Sequence, residues 1–358
     1  MTKTLTQGAT IGILGGGQLG RMLSVAASRL GFKSHIFEPG ANPPASQVAD
    51  MVTTASYADI DALAAFAKSV DVITFEFENI PAEALDAVEK FRPVLPARNA
   101  LATSQDRIVE KAFLSGLDLN VAPYANVETT TDLTAAVASI GAPSILKTRR
   151  FGYDGKGQAR LKTTDDAQTA WDALGQTPSV LEGFIDFNHE VSVIGARSQS
   201  GEVVCYDPGQ NVHRDGILHT TTLPANLNTS QRTDAVILTG KILNALDYVG
   251  VMGVELFVTD TGLIVNEIAP RVHNSGHWTQ NGCVIDQFEQ HIRAVAGWPL
   301  GDGKRHSNVV MTNLIGDAVL DVETLSKDAN VGLHLYGKAD AKAGRKMGHV
   351  NKLTGPAV

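Results

Sequence analysis

The chain has 358 residues, more than one hydrophobic core usually serves, so we expect two or three domains. Apolar residues make up 43% and charged residues 19%, which excludes a disordered or fibrous protein, and the net charge of -8 argues against a nucleic-acid binder. The two cysteines, Cys205 and Cys283, predict neither a disulfide framework nor a thiolate zinc site. Without a signal-peptide pattern or a long apolar run, the expectation is a cytoplasmic protein that does not enter a membrane.

The first part of the chain alternates short apolar runs with amphipathic stretches, which is typical of a parallel α/β sheet. Strands are predicted at residues 11–14, 34–37 and 72–75, and helices at 18–30, 60–70 and 81–91. A further helix should begin after a cap at Ser104 or Asp106 and end at Gly116. We therefore predict a domain boundary near residue 105.

Beyond residue 123 the pattern changes to strands joined by a basic, glycine-rich loop, and then to a larger antiparallel α+β region. Strands are predicted at residues 144–146, 158–162, 180–185, 190–194, 251–258 and 263–268. The three predicted domains are residues 1–105, 106–185 and 186–358. The segment from His334 onwards is short, polar and basic.

Residues 15–20 read Gly-Gly-Gly-Gln-Leu-Gly between a predicted strand and helix, and Glu38 ends the next strand. This pattern is typical of a dinucleotide site, in which backbone N–H groups hold a pyrophosphate at a helix N-terminus. A tight strand-to-helix turn that binds no dinucleotide explains it equally well. The motif alone leaves both interpretations open.

The loop from Lys147 to Gln158 combines three glycines with four cationic side chains, which predicts a phosphate-binding loop. A Walker loop must open a helix, whereas residues 158–162 alternate like a strand. The sequence therefore predicts a strand–loop–strand flap that closes over a nucleotide. A solvated hairpin tip is the alternative.

Two carboxylates lie on the strands predicted at 251–258 and 263–268. A three-residue loop with positive φ at Gly262 would pair Thr259 with Leu263, and hence Glu255 with Glu267. Facing carboxylates repel unless a cation lies between them, so the pair predicts a magnesium site. A two-residue turn would instead put the two side chains on opposite faces of the hairpin.

The loop that follows Glu267 carries Arg271, His273, Asn274 and Ser275, whose donors suit a small oxyanion such as bicarbonate. Because these side chains cluster just after a predicted metal ligand, a functional role is favoured over an ordinary surface loop.

Five segments, in order along nearly the whole chain, together carry a resemblance: GGGQLGRM (15–22), FEFEN (75–79), RRFGYDGKGQ (149–158), NEIAPRVHNSGHWTQ (266–280) and GRKMGH (344–349). They resemble the ATP-grasp superfamily and, within it, the 5-(carboxyamino)imidazole ribonucleotide synthases of purine biosynthesis. The resemblance implies an α/β and α+β fold with three parts: a parallel α/β pre-ATP-grasp domain, a small lid domain carrying the flap, and a larger antiparallel domain.

The implied reaction uses ATP to convert bicarbonate into carboxyphosphate, whose carboxyl group passes to the amine of 5-aminoimidazole ribonucleotide. The resemblance places magnesium, or manganese, at Glu255 and Glu267, and implies no biotin. The nucleotide contacts that it implies are Arg107, Lys147, Gly152, Tyr153, Asp154, Gly155, Lys156, Gly157, Gln158, Glu182, Gly183, Phe184, Ile185, Glu190, His213, Asn266 and Glu267.

For the other substrates the resemblance implies that Arg271, His273 and Asn274 fix bicarbonate and that Asp154 orients or deprotonates the amine. The contacts that it implies for the ribonucleotide are Tyr153, Gln18, Glu76, Lys338, Arg345 and Lys346. Gln210, His219 and Lys342 depart from the family pattern. A homodimer through the first and third domains, and a mutase that takes the product, are the implied partners.

Three alternatives compete with this interpretation. A Rossmann NAD(P)-dependent oxidoreductase would use Gly15 to Gly20 but leaves the carboxylate pair and the flap unexplained. A biotin carboxylase or a formate-dependent glycinamide ribonucleotide enzyme would keep the fold and change the acceptor. A regulator that binds nucleotide without turnover is disfavoured by the presence of Lys147, Glu255 and Glu267.

Overall fold

The computed structural model describes residues 4–152 and 155–357, and its first sheet is parallel throughout. The order of the strands is β3-β2-β1-β4, with helices in the connections. Apolar runs such as Ile11–Leu14 are buried on both faces, as parallel strands require. The elements are β1 (Thr10–Leu14), α1 (Gln18–Arg29), β2 (Lys33–Phe37), β3 (Met51–Thr53), α2 (Ile60–Lys68), β4 (Val72–Phe75), α3 (Ala82–Glu89) and α4 (Arg98–Ser104).

The second sheet is antiparallel, with the order β5-β8-β6-β7. A helix precedes it, and that helix begins after Asp106, whose carboxylate accepts from the N–H of Ile108 at 3.1 Å. The elements are α5 (Arg107–Gly116), β5 (Tyr124–Val127), α6 (Thr130–Ile140), β6 (Ser144–Thr148), β7 (Gln158–Leu161), α7 (Ala167–Ala173) and β8 (Ser179–Gly183). Because β7 follows the glycine-rich loop directly, the predicted strand–loop–strand flap is confirmed.

The third sheet runs β14-β13-β9-β11-β12-β15-β17-β16, with β10 beside β9, and all its pairs are antiparallel. Its elements are β9 (His189–Arg197), β10 (Val203–Cys205), β11 (Gly209–Arg214), β12 (Ile217–Leu223), α8 (Thr229–Ala245), β13 (Gly250–Thr259), β14 (Gly262–Ala269), α9 (Thr279–Gly282), α10 (Gln287–Ala296), β15 (Ser307–Ile315), α11 (Val322–Leu325), β16 (Val331–Leu335) and β17 (Lys346–Pro356). The predicted fold class, a parallel α/β part followed by antiparallel parts, is confirmed.

The first and third sheets share one hydrophobic core. Leu23 of α1 belongs to the same buried cluster as Val251 of β13 and Ile292 of α10. His291 adds a polar link, because its Nε2 lies 2.7 Å from the Thr74 hydroxyl while its Nδ1 accepts from the N–H of Val251 at 3.0 Å. Burial lowers the pKa of His291 to about 3, so the imidazole is neutral. The first and third sheets are therefore joined by apolar packing and by this buried polar link.

Among the helices of residues 4–152 and 155–357, none is both long and apolar enough to cross a membrane.

The turn from β1 to α1 depends on close packing at Gly20. A Cβ on Gly20 would lie 2.7 Å from the carbonyl oxygen of Gly15, a backbone atom that cannot move aside. We expect Gly20→Ala to lower the free energy of unfolding by about 1–3 kcal/mol, measured by urea denaturation. Gly116→Ala, in a helix with no atom within 4 Å of the added Cβ, is the matched control and should be neutral or stabilising. Equal effects of the two variants would contradict this packing argument.

Candidate active site

The N-terminal glycine turn is filled by the protein's own carboxylates. The N–H of Gly16 donates to Glu38 at 2.8 Å, and the N–H groups of Gly17 and Gly20 donate to the two oxygens of Glu76, the latter at 2.6 Å. These are the groups that would hold a pyrophosphate in a dinucleotide enzyme. Of the two interpretations left open by the motif, the geometry favours the tight turn over the nicotinamide site.

The carboxylate pair forms as predicted but by a different route. Thr259 pairs with Gly262 across a two-residue turn, so the predicted three-residue loop is wrong. A β-bulge then leaves Asn266 unpaired, and beyond it Glu255 and Glu267 lie directly opposite each other. The bulge adds back the one residue that the shorter turn removes, which returns both side chains to one face.

The two glutamates differ in their electrostatic surroundings. Burial favours a neutral Glu267, but the cations of Arg107, whose Nη1 is 3.0 Å from the carboxylate, and of Lys147 outweigh it and lower the pKa to about 2. Burial and the charge of Glu267 raise the pKa of Glu255 to about 8. At neutral pH the pair therefore carries one negative charge rather than two. The Glu267 side chain is 40% exposed and that of Glu255 is 15% exposed, so Glu267 is the more accessible of the two.

Glu182 is held by two lysines, and we call the space between Glu182 and the Glu255–Glu267 pair the groove. Its Oε2 lies 2.9 Å from the Nζ of Lys147 and 3.5 Å from that of Lys111. Its Oε1 is buried and has no hydrogen-bond partner. A buried carboxylate oxygen without a donor is costly, so this atom is suited to accept from a ligand such as an adenine amino group.

The linker after β8 is partly committed to the fold. The N–H groups of Gly183 and Phe184 donate to the carbonyls of Pro123 and Pro143 at 2.8 and 3.1 Å, and the guanidinium of Arg160 covers the Phe184 ring. These two N–H groups already have acceptors. The backbone of Ile185 therefore remains as the predicted hydrogen-bonding partner for the edge of a base.

A shallow pocket is lined in part by Glu190, Asn211, Glu255 and Asn266. The carboxylate of Glu190 is 2.6 Å from Nδ1 of His213. Burial lowers the pKa of His213, but the contact with Glu190 outweighs it and the net shift is upward. The predicted ribose contact Glu190 and the predicted metal ligand Glu255 thus border one pocket.

The flap lies beside the turn between β11 and β12. The N–H of Thr148 donates to the Gly157 carbonyl at 2.8 Å, and Gly157, with φ of 70°, has no room for a Cβ beside the Thr148 hydroxyl. A Cβ on Gly155 would lie 3.4 Å from Gly216 of that turn. The remaining predicted flap contacts are Gly152, Lys156 and Gln158, which lie in this segment, and Tyr153 and Asp154, which lie outside the described residues.

The positive charge expected around the flap is partly neutralised. The guanidinium of Arg149 donates to Asp106 at 2.7 Å and to Glu128 at 2.6 Å. Arg150 donates to the side-chain oxygen of Gln105 at 3.2 Å. Arg149 therefore anchors the base of the flap to the start of α5, which corrects its predicted place among the cations around a phosphate.

The loop after Glu267 borders the carboxylate pair. Arg271 donates to both oxygens of Glu78 at 2.5 and 3.1 Å, and His273 Nε2 lies 3.5 Å from Glu255. Burial and the Arg271 cation lower the pKa of His273 to about 3, so its imidazole is neutral. The amide of Asn274 forms reciprocal hydrogen bonds with Asn313, at 3.0 and 2.8 Å. The side chains of Arg271 and His273 thus lie next to Glu78 and Glu255, whereas the Asn274 side chain is already hydrogen-bonded to Asn313.

The basic residues near the end of the chain form strands and a loop rather than a loose tail. The Nζ of Lys338 donates to the Lys346 carbonyl at 2.7 Å, and burial and the charge of Arg345 lower the pKa of Lys338 to about 8. Gln47 donates to the carbonyl of Gly337 at 2.7 Å and so ties this loop to the first domain. Lys338 lies close enough to the Glu76 turn for the negative charge of Glu76 to oppose this lowering of its pKa.

Three charged residues of this region were missed by sequence reasoning: the partly exposed Glu78 and the buried Glu110 and Lys111. Glu78 pairs with Arg271, and Glu110 and Lys111 lie beneath β14. Burial and the charge of Glu267 raise the pKa of Glu110 to about 8. Glu110 and Lys111 look like an ordinary exposed pair in an amphipathic helix, so the sequence carries no signal for them.

The fold and the groove together define an ATP-grasp enzyme, and the comparisons with known proteins agree. Residues 8–105 match the ribonucleotide synthetase pre-ATP-grasp domain, 112–288 the ATP-grasp domain, and 309–355 the phosphoribosylaminoimidazole carboxylase C-terminal domain. The N5-carboxyaminoimidazole ribonucleotide synthase of Brucella melitensis is 52% identical over 99% of both chains. The chain belongs to the N5-carboxyaminoimidazole ribonucleotide synthase family and is an ATP-dependent ligase of purine biosynthesis.

Solved structures agree with this assignment. The ADP complex of an N5-carboxyaminoimidazole ribonucleotide synthetase has a TM-score of 0.95 and 41% identity, over 99% of this chain and 94% of that one. The Aspergillus clavatus enzyme in complex with ADP and 5-aminoimidazole ribonucleotide has a TM-score of 0.91 and 32% identity, over 98% and 94%. The predicted family, fold and enzyme class are confirmed, and the oxidoreductase alternative is not supported.

Proposed function

We propose that the chain joins bicarbonate to the exocyclic amine of 5-aminoimidazole ribonucleotide through carboxyphosphate, and releases ADP and phosphate. The single observation that carries this proposal is the groove itself. It has an orphaned acceptor, Glu182 Oε1, at one end and the facing carboxylates Glu255 and Glu267 at the other. Lys147 and Arg107 lie along it and are suited to a polyphosphate.

In this proposal the protein holds ATP both at its adenine end and at its phosphate end. Glu182 accepts from the adenine amino group, the backbone of Ile185 reads the base edge, and Glu190 with His213 binds the ribose hydroxyls. Lys147 and Arg107 offset the charge that develops on the transferred phosphoryl group, which is the main catalytic task in such chemistry. The flap residues from Gly152 to Gln158 close over the phosphates and exclude water.

The cofactor that we propose is magnesium, with manganese as a substitute. Glu255 and Glu267 fit it, because their carboxylates face each other across the hairpin and supply the oxygen ligands that magnesium prefers, and Asn266 adjoins them. When bound, the ion would neutralise phosphate charge.

Two further groups of side chains serve the acceptor side. Arg271, held by Glu78, and the neutral His273 are suited to fix bicarbonate beside the phosphates, and Asn274 is suited to hold this loop through Asn313. Lys338, Arg345 and Lys346 would hold the ribonucleotide phosphate, with Gln18 and Glu76 near its ribose. Tyr153 and Asp154 remain the proposed contacts to the amine.

The assembly and setting that we propose follow the family. A homodimer through the first and third domains would cover Val25 and Val284, which are exposed and lie on elements joined by the 3.0 Å contact of Arg29 with Asp286. The product would pass to a mutase in the cytoplasm.

The proposed reaction predicts that ADP release needs both acceptors. We expect the full rate, in a coupled assay, only when bicarbonate and 5-aminoimidazole ribonucleotide are both present, because carboxyphosphate formation is productive only when the amine can capture it. A bicarbonate-free reaction with the ribonucleotide is the control. An equal rate without the ribonucleotide would contradict the proposal.

The metal pair predicts the effect of Glu267→Gln. We expect magnesium-dependent turnover to fall by about 100-fold or more, since the variant loses the charged ligand, while the circular dichroism spectrum stays unchanged. Exposed Glu323→Gln, on α11, is the matched control and should keep the wild-type rate. A near-normal rate for Glu267→Gln would remove the proposed metal site.

The lowered pKa of Lys338 predicts a pH dependence. Its ammonium is present below pH 8 and is lost as the pH rises through about 8, so kcat/KM for the ribonucleotide should fall about tenfold per pH unit above that value. Lys338→Arg keeps the charge and should flatten the profile between about pH 7 and 9. Superimposable profiles of the two proteins would exclude Lys338 as the phosphate contact.

A further inference from the structure

Two adjacent charged residues of α5 are buried beneath the metal-site hairpin. Glu110 is 2% exposed and Lys111 is 1% exposed, although they lie next to each other on a helix whose other side faces solvent. Burying an ammonium and a carboxylate is costly unless each makes specific polar contacts. Their contacts therefore indicate what they do.

Those contacts flank one residue, Glu267. The Nζ of Lys111 donates to the carbonyl of Asn266 at 2.9 Å, and Oε1 of Glu110 accepts from the N–H of Ile268 at 2.7 Å. The Asn266 carbonyl belongs to the peptide group before Glu267, and the Ile268 N–H to the peptide group after it. Both peptide planes that set the direction of the Glu267 side chain are thus held by α5.

The position of β14 explains why such support is needed. It is the edge strand of its sheet, and among the described residues its outer side forms an isolated bridge from Val265 to Val121 but pairs with no further strand at Glu267. The bulge at Asn266 also interrupts the ladder to β13 at that point. An edge strand with a bulge has unpaired backbone groups and little to fix its direction. Glu110 and Lys111 supply the two missing hydrogen bonds.

Lys111 also reaches the opposite end of the groove. Its Nζ lies 3.5 Å from Oε2 of Glu182, on the same oxygen that Lys147 contacts at 2.9 Å. With Oε2 held by two cations, the carboxylate presents Oε1, which is buried and has no partner. One ammonium therefore connects the carboxylate proposed for the base with the backbone that carries the carboxylate proposed for the metal.

We propose that Glu110 and Lys111 are positioning residues of this ligase. They fix the two peptide groups around Glu267 and so aim its carboxylate at Glu255, and Lys111 in addition orients Glu182 towards the purine. This inference rests on the nucleotide and metal roles of the proposed function, but not on the identity of the acceptor.

Calorimetric titration with ADP and GDP, each with and without magnesium, tests the proposal on the full chain. Two ratios are measured: the gain in ADP affinity caused by magnesium, and the preference for ADP over GDP. Neither ratio requires turnover, so the result stands even if the acceptor proposed above is wrong. A decrease in stability alone moves neither ratio.

The variants separate the hydrogen bond from the charge. Glu110→Gln keeps an acceptor for the Ile268 N–H and should leave both ratios within about threefold of wild type. Glu110→Met removes the acceptor and should reduce the magnesium gain at least about tenfold while it leaves the base preference unchanged. Lys111→Met should reduce the magnesium gain and also reduce the preference for ADP about tenfold, because Glu182 loses a partner.

A stability control completes the design. Leu63→Ala truncates a buried side chain in the first domain's core and should lower the melting temperature without changing either ratio. The proposal is overturned if Glu110→Met behaves like Leu63→Ala, or if Glu110→Gln loses as much of the magnesium gain as Glu110→Met. If Lys111→Met does not fold, the two Glu110 variants still decide the question.

Discussion

The interaction on which the groove depends is the repulsion between two half-buried carboxylates placed face to face. Glu267 is charged and Glu255 is neutral, because Arg107 and Lys147 act on the first, while burial and the charge of Glu267 act on the second. The repulsion between the facing carboxylates is thus avoided by an unequal division of charge between them.

Three acidic side chains around the groove have cationic partners. Arg107 contacts Glu267, Lys147 and Lys111 contact Glu182, and Arg271 contacts Glu78. The last of these pairs joins the first domain to the third. Arg271 and its loop therefore lie where two domains with a common core meet.

The sequence was sufficient for most of the fold, and the reasons are local. Strands such as β4 and helices such as α1 have clear periodicity and were predicted to within a residue or two. The exposed edge strand β3, with three residues, and the short helix α4 were missed because neither is long enough to show a period. The strand β17 was read as part of a polar tail, since it is held by pairing with β15 and β16 rather than by an apolar pattern.

The metal pair shows why a correct site can follow from an incorrect loop. Side chains on a strand alternate between its two faces. An error of one residue in the length of the turn therefore moves every side chain of one strand to the opposite face, and a bulge of one residue moves the side chains beyond it back again. Glu255 and Glu267 face each other only because the two shifts cancel. A sequence pattern records neither shift, and the bulged segment is held by hydrogen bonds with Glu110 and Lys111 of α5, which is distant in the sequence. The residues that decide the geometry of this site are therefore those, such as Glu110 and Lys111, whose importance appears only in three dimensions.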